Sequence, residues 1–319
     1  MMHPSIYLIF LTIIVMKPFH IIAIAIITII HIHCAHTRSI TRRQPVNYEE
    51  KDSNGNIKLL GKSTRERLMQ PPFDSWFIKN YDSYTIDTST ANRLKPLLAN
   101  KQFLIFMGTW CGDSRREVPR IYKLLDYCGV PAGNIQLVNV NNADSAYKQS
   151  PQHEEKGWNI HRVPDLLIVE KKHELGRVVE SPVTSWENDI LAIVSRQAYA
   201  PKYKAVSYML GVWEQQSLSS VQNNLHTIAD SLTTLVANRG ELLSYGKTLL
   251  ARHETDKAIL VMQLNTLLFA ADAEVWNGLA YAWQKKGAIS TAITCCNKAL
   301  ELQPGNATAT TLLQQLKTP

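Results

Sequence analysis

Trp110-Cys111-Gly112-Asp113-Ser114 lies between an apolar run, Phe103 to Met107, and a stretch with helical periodicity. Of the five cysteines, at 34, 111, 128, 295 and 296, only Cys111 has flanking residues that suggest reactivity. A cysteine at the first turn of a helix faces unpaired backbone N–H groups and the positive end of the helix dipole, which favour thiolate over thiol. The thiolate is the nucleophile of disulfide exchange, so the chemistry expected here is attack on a disulfide or its capture. Arg115 and Arg116 add positive charge and Asp113 opposes them. Ser114 has two open roles, a hydrogen bond to the thiolate or a cap on the helix start.

The other cysteines read differently. Cys128 lies at the far end of the same predicted helix, roughly 25 Å away at 1.5 Å per residue. A disulfide needs Cα atoms within about 7 Å, so Cys128 is expected to be a buried small residue and not a resolving thiol. Cys295 and Cys296 read as core packing in preference to a vicinal-thiol sensor. No pair has zinc-ligand spacing, and no motif calls for a metal, nucleotide or flavin cofactor.

The elements that must position Cys111 are legible as patterns. Phe103 to Met107 is a short unbroken apolar run, as expected of a strand buried on both faces. Val118, Ile121, Tyr122, Leu124 and Leu125 recur at helical spacing until Gly129 and Pro131. Ile135 to Val140, Leu166 to Val169 and Leu175 to Glu180 read as further strands, and Ser185 to Ala198 as a closing amphipathic helix. The expected class is an α/β sheet domain. From about Ser217 every segment reads as helix. Trp276, Leu279, Ala280, Trp283, Gly287, Ala292, Cys296, Ala299 and Pro304 hold the key positions of a 34-residue tetratricopeptide unit. One period earlier, Leu242, Tyr245, Gly246, Leu249, Ala258 and Met262 form a looser copy.

The segment Gly108 to Ser114 between strand and helix, followed about fifty residues on by Val163-Pro164, resembles the thioredoxin family over about a third of the chain. The resemblance implies a thioredoxin fold, with Pro164 a cis proline facing Cys111 and the backbone beside it, at Val163, pairing with a substrate strand. Trp110, Cys111 and Ser114 fall on the family's redox motif. Two departures restrict the mechanism. Ser114 stands where a dithiol thioredoxin has its second cysteine, and Ile105 stands where many carry a buried aspartate that serves that cysteine. A mixed disulfide on Cys111 must then be resolved by the substrate's own second thiol, a small thiol or a partner reductase. That suits isomerisation or substrate holding better than net reduction. Leu60 to Leu98 also looks like the preface of secreted bacterial thioredoxin-like proteins with this motif.

Two alternatives remain. One is an adaptor whose tetratricopeptide-like repeats bind a protein partner while the thioredoxin-like domain is vestigial. The other is a peroxidase, which needs a resolving thiol that nothing here supplies.

The whole-chain composition, with 45% hydrophobic and 19% charged residues among 319, is ordinarily globular. The formal charge of +7 is dispersed apart from Arg38, Arg42 and Arg43, so a nucleic-acid partner is not expected. Residues 1–35 read as a signal peptide or membrane anchor, with translation starting at Met16 and with His31, His33 and His36 lost with the leader or lying in a flank. The arginines after the apolar run argue the other way by charge bias, but a leader this apolar has no evident role in a cytosolic fold. The expected location is exported, periplasmic or membrane-anchored. Residues 36–56 read as a linker, 57–200 as the thioredoxin-like domain with an N-terminal extension, and 201–319 as a helical-repeat domain.

Overall fold

The computed structural model describes residues 46–52 and 54–318; the leader, the Met16 start, the arginine cluster and the polar stretch up to residue 45 lie outside the described residues. The chain enters a sheet earlier than its polarity suggests. Within the expected linker, Tyr48–Lys51 (β1) pairs antiparallel with Ile57–Ser63 (β2). The polar residues themselves build the turn: Asp52 Oδ1 accepts from the N–H groups of Asn54 and Asn56, and Gly55 takes a φ of +81°.

Three short helices follow, Arg65–Leu68 (α1), Asp74–Ser83 (α2) and Thr88–Leu94 (α3). Thr64 and Asp87 cap α1 and α3 through their side-chain oxygens. Phe73 and Phe77 are buried and Trp76, Tyr81 and Tyr84 pack half-buried on the same core, so this aromatic group serves packing.

Gln102–Met107 (β3) runs parallel to Ile135–Asn139 (β4) and antiparallel to Asp165–Glu170 (β5), which pairs in turn with His173–Val179 (β6). The six strands lie in the order β1-β2-β4-β3-β5-β6. A parallel pair requires a crossover, which Gly112–Tyr127 (α4) provides between β3 and β4. Gly129, with a φ of +74°, ends that helix as the Val130 N–H returns to the Leu125 carbonyl. Trp186–Val194 (α5) closes the α/β region.

The strands alternate strictly between two cores. Phe103, Ile105, Met107, Leu166 and Ile168 face a large cluster with Val118, Ile121 and Leu125 of α4 and Ile190 of α5. Phe106, Leu167 and Val169 face a smaller one with Val138, Val140, Ile160 and Val163. That second face is covered by the irregular segment 141–164 rather than by a helix of the α/β region.

Helices then continue to the end of the described chain: Lys204–Gln215 (α6), Leu218–Asn223 (α7), Leu225–Leu232 (α8), Arg239–Ala251 (α9), Thr255–Leu268 (α10), Ala273–Lys286 (α11), Ile289–Leu302 (α12) and Ala307–Lys317 (α13). Helical structure thus begins at Lys204, earlier than its sequence periodicity. Gly278 marks a close approach between α9 and α11: a Cβ there would lie 2.4 Å from Leu243 Cδ1. The described residues, 46–52 and 54–318, belong to one compact unit. Among the described residues, no helix is long and apolar enough to cross a membrane.

Candidate functional site around Cys111

Cys111 is the N-cap residue of α4, half-buried, in extended backbone conformation, and its side chain makes no capping bond. The Cys111 N–H bonds the Gly108 carbonyl at 2.9 Å, closing the turn out of β3, and the first bond inside the helix runs from Arg115 N–H to the Cys111 carbonyl at 3.0 Å. Thr109 pins this turn to the sheet by accepting from the Leu59 N–H at 3.1 Å. The thiol itself donates to the Val163 carbonyl at 3.4 Å, across the cis Val163–Pro164 bond. Cys111, Val163 and Pro164, distant in sequence, therefore meet.

Trp110 joins them: its Nε1 donates to the Val140 carbonyl at 2.9 Å, and its ring folds over Gly108, where a Cβ would lie 2.4 Å from the indole. Ser114 takes a third course beyond the two left open above. It is fully buried, and its hydroxyl accepts from the Gly108 N–H at 3.3 Å, on the strand side of the turn. Ile105 is fully buried among apolar neighbours.

Around the thiol lies a charged group with no recognisable sequence pattern. Lys148 is only 4% exposed, with its ammonium 4.3 Å from the Trp110 ring centroid and 4.8 Å from that of Tyr147. Burial pushes this ammonium down to about 8; the charges of Cys111 and Glu180 favour its protonation and that of Arg162 opposes it. Glu180 is pushed up by burial, opposed by Arg162, whose Nη1 lies 3.5 Å from its Oε1, while the Tyr203 hydroxyl donates to its Oε2. Adjacency to Val163-Pro164 could have drawn attention to Arg162. Lys148 sits in an aperiodic polar loop, and its sequence carries no such signal.

The helical region reaches this site through the covering segment. The Tyr147 and Ser244 hydroxyls pair at 3.3 Å, Gln149 donates to the Ala251 carbonyl at 2.6 Å, Arg162 to the Gly240 carbonyl at 2.7 Å and Arg252 to the Ile160 carbonyl at 2.9 Å. Helix α9 thus holds the segment that carries both Lys148 and Val163.

The remaining cysteines among the described residues, Cys128, Cys295 and Cys296, are buried. Cys128 ends α4, bonds the Ala91 carbonyl and is pushed up to about 11 by burial; Cys295 is likewise pushed up to about 11, by burial and then by Cys296. Both lie in core clusters. Among the described residues, no group of three His, Cys, Asp or Glu side chains could hold a metal ion.

A family model described as tetratricopeptide repeat matches residues 273–306, which are α11, α12 and the turn after them. No curated protein matches the chain. Repeats of this kind as a rule bind other proteins, consistent with a protein partner for this chain. A groove of about 490 Å³ runs between α9, α11 and α13, lined in part by Leu243, Met262, Tyr281 and Leu312, with Asp144 of the covering segment among its lining residues.

Proposed function

We propose that the chain is a monothiol thioredoxin-like protein, exported to the periplasm or held at the membrane, that exchanges or isomerises disulfides of protein substrates through Cys111. The observation that carries this reading is the meeting of a helix N-cap thiol with the backbone of a cis proline bond, Cys111 Sγ to Val163 O. The central strands support a thioredoxin-like topology: parallel β3 and β4 joined through α4, with β5 and β6 antiparallel beside them. In the proposed reaction the Cys111 thiolate attacks a substrate disulfide, and a second substrate thiol later displaces Cys111 from the mixed disulfide. The electron count of the substrate is unchanged, as isomerisation requires.

The test is two separate incubations of the reduced full chain, one with oxidised glutathione and one with a substrate protein carrying scrambled disulfides. The expected result is a dithiothreitol-reversible adduct on Cys111 and regain of substrate activity, both lost in Cys111→Ser. A wild-type chain with neither behaviour overturns the reading. The tetratricopeptide match and the groove along α9 and α11 favour a second reading, an adaptor that binds a protein partner through its helices. Under it, Cys111→Ser retains full function.

A further inference from the structure

We propose that Lys148 is the proton-handling partner of Cys111: its ammonium pairs with the Cys111 thiolate and supplies the proton taken by the sulfur that leaves when Cys111 attacks a disulfide. The pairing rests on the burial of Lys148, on the Trp110 ring beside Cys111 that holds its ammonium and on the charges that face it, and the transfer to a leaving sulfur rests on the exchange reading above.

An ordinary surface lysine lays its stem on apolar groups and keeps its head in water. Lys148 leaves little of itself in water: the whole residue is 4% exposed, and among the described residues its ammonium makes no salt bridge and no hydrogen bond to a protein group. It rests between two aromatic faces, those of Trp110 and Tyr147. A buried cation without a counter-charge is costly, and it persists where a charge of opposite sign completes it. Three charged groups face it from the elements around it: Cys111 from the start of α4, Glu180 from just beyond β6 and Arg162 from the segment before Pro164. Glu180 is already engaged by Arg162 and Tyr203, and Cys111 is the leading charge that favours the ammonium.

The position is also held in place. Lys148 has a φ of +59°, unusual for a residue with a side chain, and its N–H bonds the Asn141 carbonyl at 2.9 Å. On one side of it Tyr147 is tied to Ser244, and on the other Gln149 is tied to the end of α9. The Trp110 ring beneath is fixed through Val140. The helical region therefore has a role at the thiol: it holds the loop that presents the ammonium.

The step balances without an outside oxidant. The Cys111 thiolate forms a bond to one sulfur of the substrate disulfide, the S–S bond breaks, and the departing thiolate takes a proton from the Lys148 ammonium, leaving a neutral amine. A second substrate thiol then gives its proton to that amine, attacks the mixed disulfide and releases Cys111 as thiolate. A residue whose ammonium titrates near pH 8 is well matched to taking and returning a proton with thiols.

The experiment measures the rate of iodoacetamide alkylation at Cys111 against pH by mass spectrometry of its peptide, in the full chain and in K148M and K148R. At neutral pH, K148M is expected to alkylate about tenfold more slowly, the effect of losing one close opposite charge. K148R is expected to keep the neutral-pH rate and to lose the inflection near pH 8 expected of the wild type. Identical profiles for wild type and K148M overturn the proposal. If K148M does not fold, by circular dichroism, K148R decides alone, and an inflection it retains near pH 8 overturns the proposal. Alkylation involves no disulfide, so the two readings fail separately. A wild type with the expected profile and no glutathione adduct overturns the exchange reading and the proton transfer with it, while the profile still supports the pairing.

Discussion

The two faces of the sheet are covered in different ways. One is packed by α2, α4 and α5, amphipathic helices whose buried residues join the strands in a single large cluster. The other is packed by an irregular segment, residues 141–164, with a small cluster, and that segment is held from outside by α9 through side-chain bonds to backbone carbonyls. Cys111 and Trp110 pack on this second face. The sheet's own helices thus secure the fold, and a distant part of the chain secures the ground around the thiol.

Matched truncations sharpen the contrast most. Ile121 and Ile160 are each fully buried, one on each face. Ile121→Ala is expected to cost about 4 kcal/mol, in the upper part of the range for such changes, because a helix packed on a sheet collapses poorly around a cavity. Ile160→Ala should cost about 2 kcal/mol, since an irregular segment can settle into the space. Urea unfolding of the two variants measures this, and equal costs would remove the distinction between the faces.

Acid should act first on the thinly covered face. His161 is wholly buried between the rings of Tyr203 and Tyr245, and burial holds its imidazole at about 3, below the ordinary 6.5. Protons therefore bind the unfolded chain more readily than the folded one. The stability that depends on neutral His161 is complete above about pH 6.5 and is lost as pH falls from there toward about 3. Hydrogen exchange in residues 141–164 should accelerate over that interval, and His161→Gln should flatten the response. A segment whose exchange is indifferent to acid would sink this expectation.

The smallest effect is expected at the clamp. Arg252→Ala removes the guanidinium bond to the Ile160 carbonyl and should cost about 1–2 kcal/mol, as for a single bond to a charged donor. Its signature is local: faster proteolysis within 141–164 with little change in the unfolding of the β3 amides. Uniform loss across the sheet would show that the two faces unfold together.

The contrast also governs what the sequence reveals. Strands β3, β4, β5 and β6 and helix α4 announce themselves because they are buried on regular faces, and burial writes a period into the residue order. The 34-residue repeat is legible for the same reason, since each unit packs on a copy of itself. Strand β1 is too short and charged to show a pattern, so it reads as linker. At the site, Cys111, Trp110, Val163 and Pro164 are marked by their local motifs. The motif marks Ser114 as well, but its bond from the Gly108 N–H is neither of the two roles the motif suggests. Lys148, Glu180 and Tyr203 are brought to the thiol by aperiodic chain whose course depends on tertiary contacts, and no spacing rule predicts such contacts.

The register of β2 bears on where the chain can be cut. Its first half, Ile57 to Leu60, pairs with β1, and only from Gly61, with a φ of +72°, does it pair with β4. A truncation at Ile57, where the linker reading would place it, strips the partner from a run that includes Leu59 and Leu60. Open N–H and carbonyl groups beside two leucines recruit other chains edge to edge. The short acidic strand Tyr48–Lys51 thus guards against aggregation, and a soluble fragment must begin ahead of it.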